Sequence, residues 1–133
     1  MGIKVSIFPE ALDGHLASSV IQIINQTLES NGLISDDFAI DVNFVSSKKM
    51  QKLNSDFRKK DYATDVLSFG QFEDILADRP KGLVSPIMLG DLVFCKEVIE
   101  KEAKEENKTY EEQLKMLAEH GTLHLLGIHH PED

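Results

Sequence analysis

With 133 residues, 41% of them apolar and 28% charged, the chain has the balance of one globular domain (1–133) able to bury a core, which excludes wholesale disorder. Its net charge of −9 excludes broad, charge-driven adhesion to nucleic acid or anionic lipid, and its single cysteine, Cys95, excludes an internal disulfide. No apolar run reaches the roughly 20 residues that span a bilayer and there is no cationic leader, so a cytoplasmic protein with no membrane partner is expected.

Residues 3–8, IKVSIF, read as a strand. Over 12–31 the apolar positions Leu16, Val20, Ile23, Ile24 and Leu28 recur at helical spacing, and Gly32 is a natural stop. In FAIDVNFV, 38–45, the residues Phe38, Ile40, Val42 and Phe44 alternate onto one face, which predicts a half-buried strand. Ser46 or Ser47 can cap a short helix with Met50, Leu53 and Phe57 on its apolar side. On and just beyond that helix lie Lys48, Lys49, Lys52, Arg58, Lys59 and Lys60, six of the fourteen basic residues, against a single Asp56. The bland account of this run is a solvated helix face. It is also a place where an acidic protein can admit a polyanion while repelling it elsewhere.

TDVLSFG (64–70) and IMLGDLVFC (87–95) read as a third and a fourth strand. The connection between them carries Pro80, Gly82 and Pro86 and is long for a compact domain, which predicts a flap or a hidden hairpin. A charged helix follows over 96–107. Thr109, with Glu112 three residues on, forms a capping box for the last helix, whose apolar stripe is Leu114, Leu117, Ala118, Gly121 and Leu125 and whose stop is Gly127. The expected architecture is α+β with α/β-like layers, a mixed sheet of about four strands packed with four to five helices.

Four of the five histidines fall in EHGTLHLLGIHHPED, 119–133. His120 and His124 are one helical turn apart, so their rings project side by side at the rim of the apolar stripe, where a helix borders a cleft; Gln113 falls on the same side. Past Gly127 the chain can turn back and offer His130 as a third ligand. Three neutral imidazoles suit zinc and leave a fourth position for water, whose pKa then falls towards about 7. A closed structural site with His129 as fourth ligand is the alternative. A metalloprotease helix would carry a glutamate directly after the first histidine; here that position is Gly121, and Glu119 points to another face.

HGTLHLLGIHH resembles the HGxLHLxGxxH signature of the YbeY family of endoribonucleases and rRNA maturation factors. LNSDFRKKDYATDVLSF (53–69) is similar to the family's second stretch, and LGDLVF (89–94) to its Leu-Gly-Asp strand, in the same order. The resemblance implies a mixed sheet packed with helices, one zinc ion per chain held by His120, His124 and His130, and an arginine that matters for activity at Arg58. It also implies single-stranded RNA as substrate, with trimming of the 3′ end of small-subunit ribosomal RNA, quality control of the ribosome, and no DNA partner. The chain departs from the family pattern in having His129 where an acidic residue is usual. It also stops at Asp133, where family members continue with a short segment bearing glutamates and a methionine.

RNA hydrolysis makes sense of features that a peptidase would not use. A guanidinium can bind the oxygens of a phosphoryl transition state in a bidentate way. If the strand at TDVLSF and the last helix line one cleft, Arg58 faces the metal across a phosphodiester, with Lys59 and Lys60 along the neighbouring phosphates. Thr64, Asp65 and Ser68 can orient ligands or serve only the turn, and Asp91 reads as a structural anchor. Without tryptophan or an aromatic-rich sheet face, no base-stacking surface is visible. Two other readings stand beside this one. They are a metal hydrolase of another substrate such as a peptide, and a non-catalytic ribosome-assembly factor stapled by zinc.

Overall fold

A computed structural model of the chain describes the backbone of residues 4–8 and, with their side chains, residues 14–72, 74–76 and 86–128. Four strands are present among them: β1 (Lys4–Phe8), β2 (Phe38–Val45), β3 (Val66–Gly70) and β4 (Ile87–Cys95). Four helices accompany them: α1 (Gly14–Ser30), α2 (Ser47–Arg58), α3 (Lys96–Glu105) and α4 (Tyr110–Leu125). The strands form one mixed sheet in the order β1-β2-β4-β3, with β1, β2 and β4 parallel and β3 antiparallel at an edge. This is the α+β architecture that the alternation of elements implies.

The alternation in β2 decides which face is which. Phe38, Ile40 and Val42 are fully buried on one face, and β4 adds Leu92 and Phe94 there. Against this face pack Val20, Ile24 and Leu28 of α1 and Leu114, Leu117, Ala118 and Leu125 of α4, at the helical spacing that the sequence shows. A smaller core on the other face joins Met50 of α2 to Leu67, Val93 and Cys95. Helices therefore cover both faces, and β3 is the edge over which α4 and α2 look at each other.

The helix ends follow from their sequences. Ser46 accepts the Lys49 N–H at 3.2 Å and caps α2. Thr109 and Glu112 exchange bonds of 3.1 and 2.9 Å in a complete capping box at the start of α4. At the far end, Gly127 takes φ +87° and gives its N–H to the His124 carbonyl, while Ile128 gives its N–H to Leu123. That pair of bonds is a Schellman stop, and it ends α4 within a turn of His124.

One detail differs from the sequence reading. The third strand starts at Val66, not at 64, because Thr64 and Asp65 form a side-chain turn in which Asp65 Oδ1 takes the Val66 N–H at 2.7 Å. Gln113 lies two turns before His120 on the same side of α4, as expected from its spacing of seven and eleven residues to the two histidines. It is buried against α3, donating to Glu102 at 3.5 Å and Glu106 at 3.4 Å. The flap or hairpin expected between β3 and β4 falls mostly outside the described residues.

Candidate active site

The end of α2 sets one wall of the site. The helix stops because Lys59 takes the left-handed conformation, φ +58°, and the chain beyond is tied back by Asn54 Nδ2 to the Tyr62 carbonyl (2.9 Å) and by Gln51 to Asp61 (3.0 Å). These ties present Phe57, Arg58 and Lys60 towards the sheet edge. Residues 64–69 form the floor. The last three turns of α4, with Met116, Leu117, His120, Gly121 and His124, form the opposite wall. The cleft has a volume of about 870 Å³, within the range of about 300–1,000 Å³ usual for small-ligand sites.

His120 and His124 are half-buried on this wall, with ring centroids 4.5 Å apart and ring planes tilted by 42°. That is the side-by-side placement expected of an i, i+4 pair. Both sit in the last turns of α4, where the helix dipole is negative and favours a cation. Two imidazoles so placed fit the donor chemistry of zinc as a chelating pair. His129 and His130 lie outside the described residues, and among the described residues no three His, Cys, Asp or Glu side chains cluster as a metal site. The structure thus brings His120, His124 and Arg58 into one cleft, as the sequence argument required.

Gly121 explains why no carboxylate follows the first histidine. A Cβ there would lie 2.8 Å from Leu92 Cδ2 and 3.7 Å from Val66 Cγ2, so the α4 backbone rests almost directly on the sheet. A glutamate at this position would be driven into the apolar core, unpaired. Glu119 is exposed on another face.

Behind the floor lies a pair of carboxyl groups that sequence inspection missed. Glu102 of α3 is half-buried and hydrogen-bonded to Asp65, and its pKa is pushed up from 4.5 to about 7. Burial is the first cause, followed by the hydrogen bond and charge of Asp65; Glu106 adds to the rise and Gln113 opposes it. Because the folded value lies above the unfolded one, the stability contributed by Glu102 is complete below about pH 4.5 and is lost as pH rises through about 7. Glu102→Gln, which keeps a neutral donor, is therefore expected to gain on the wild type between pH 5 and pH 8. The gain should be on the order of 1 kcal/mol after discounting for solvent, or about 4 °C in Tm. Melting curves at the two pH values check this, and a difference that does not vary with pH contradicts it.

Phe57 is the second feature not foreseen. It stands on the apolar side of α2 with Met50, yet it is 65% exposed, because the last turn of α2 overhangs the sheet beyond its edge strand. Its ring meets Phe69 edge-on, at 5.2 Å between centroids and 70° between planes. An exposed apolar residue adjoining Arg58 is the only hint that the sequence offers. Among the described residues no helix is long and apolar enough to cross a membrane.

Fold and cleft together define an α+β protein with a paired-histidine wall facing an arginine across a sheet edge. The chain belongs to the YbeY family: the family described as Endoribonuclease YbeY matches residues 9–133. A protein of that name from Staphylococcus carnosus is 42% identical over 97 residues, which cover 73% of this chain and 62% of the relative. One from Staphylococcus aureus is 40% identical over 97 residues, covering 73% of this chain and 63% of the relative. The matched part thus spans somewhat less than two thirds of the length of these curated relatives. The solution structure of TM1509 from Thermotoga maritima superposes with a TM-score of 0.60 at 27% identity, covering 97% of this chain and 76% of that one.

Proposed function

We propose that this protein is a zinc-dependent endoribonuclease that cuts single-stranded RNA in the cleft between α4 and the end of α2. We further propose that it acts in the cytoplasm on the 3′ end of small-subunit ribosomal RNA and in quality control of the ribosome. The observation that carries the reading is the convergence of His120, His124 and Arg58 on one cleft from helices far apart in sequence. The relatives' name, Endoribonuclease YbeY, supports it.

In this mechanism His120 and His124 would hold the ion, and His130, two residues after Ile128 in sequence, would be the third ligand. When bound, the ion supplies Lewis acidity to a phosphoryl oxygen and to water. Arg58 binds two non-bridging oxygens of the scissile phosphate and gains strength as negative charge builds on them. Lys60, lining the same cleft, neutralises a neighbouring phosphate. Asp65, with its Oδ1 accepting the Val66 N–H and a carboxyl bond to Glu102, holds the floor in place.

The test is incubation of the purified protein with labelled oligoribonucleotides. Internal cuts in the single-stranded form with the duplex form spared are expected, whereas a preparation that digests a peptide library and leaves RNA intact supports the peptidase reading instead. Arg58→Ala should lower the rate by about 100-fold, the loss typical of one transition-state donor, with little change in melting temperature because Arg58 is exposed. An Arg58→Ala protein as active as the wild type would assign the residue to a solvated face.

A further inference from the structure

Phe57 has no part in the chemistry above, and it adds little to either core. Met50, one face and two turns earlier on α2, is fully buried, whereas Phe57 is 65% exposed. The T-shaped contact with Phe69 favours one orientation of the ring, which presents an apolar surface to water. On the α4 wall of the same cleft stands Met116, 44% exposed. Arg58 and Lys60 follow Phe57 in the chain and line the cleft with it.

An apolar ring beside two cations, on a protein whose net charge is −9, suits a ligand that alternates flat π faces with negative charge. Single-stranded nucleic acid is that ligand: base–aromatic stacking tolerates any base, and the basic groups follow the backbone. We propose that Phe57 is a stacking platform for the base next to the phosphate held by Arg58, with Met116 bounding the same base from the α4 side. The proposal rests on the reading of the cleft as an RNA site and adds to it how the strand is held in register without base-specific contacts.

The test uses the purified wild type and variants with a cleavage-resistant, 2′-O-methyl phosphorothioate oligonucleotide, and with an abasic oligonucleotide of the same length and charge. Phe57→Ala should bind the base-bearing strand about tenfold more weakly and the abasic strand as the wild type does. Phe57→Trp should restore the loss. Lys60→Ala should weaken both strands and reduce the slope of log affinity against log salt by about 0.7. Phe57→Ala that weakens both strands equally, or neither, overturns the platform. Cleavage of ordinary RNA by the wild type is scored separately. A wild type that cuts RNA while Phe57→Ala binds normally overturns the platform alone, and one that binds no oligonucleotide overturns both readings.

Discussion

On the proposed zinc-dependent reading, His124→Ala is expected to lower cleavage of single-stranded RNA by more than about 100-fold and to purify without bound zinc. Loss of even an outer contact to a metal ligand typically costs 10–100-fold, and in the proposed site one of three imidazole ligands is removed. The ring is half-buried on a cleft wall, so its removal takes little from the core and the variant should fold. Chelation provides the control. A ligand that binds only the folded state stabilises it, so stripping zinc should lower the melting temperature of the wild type and leave that of His124→Ala unchanged. Zinc content of His129→Ala and His130→Ala, measured side by side, decides which of the two completes the set. Full activity in a metal-stripped wild type would end the metal-dependent reading, whatever the variants do.

The histidine pair was legible in the sequence because its geometry is local. Four residues in a capped helix place two rings side by side whatever the helix packs against. The same holds for β2, where strict alternation settles both the strand and its buried face, and for the stops at Gly32 and Gly127. Phe57 was not legible for the opposite reason. Periodicity puts it with Met50 and Leu53, but burial of the last turn of α2 depends on where the sheet ends, and that is set by β3 being an edge strand. The Asp65–Glu102 pair likewise exists only because the strand entry and α3 meet in space. Arg58 lay between these cases. Its place in a basic run was visible, and its aim across the cleft required the left-handed turn at Lys59 and the tie from Asn54 to Tyr62.

What makes the cleft possible at all is the closeness of α4 to the sheet, and Gly90→Ala tests that directly. Gly90 has φ +148°, a backbone conformation that side chains rarely adopt, at the point where the register of β2 against β4 shifts. It pairs with Gly70 across β3–β4. A Cβ at 90 would enter the van der Waals shell of the Phe69 carbonyl oxygen and sit 3.0 Å from both Gly70 Cα and Leu125 Cδ2. The first two are backbone atoms of the edge strand and cannot step aside. Leu125, fully packed over the glycine pair, is the residue next to His124. The methyl group would therefore prise β3 from β4 and lift the end of α4 together, separating the floor of the cleft from its histidine wall. Backbone strain and overpacking at one site should cost roughly 3–4 kcal/mol, a fall in Tm of about 10–15 °C. Alanine at Gly14, where a Cβ meets nothing within 4 Å, is the matched control and should melt within a few degrees of the wild type. If Gly90→Ala melts with that control, β3 does not depend on the glycine pair, and the account of how the two walls are brought together fails.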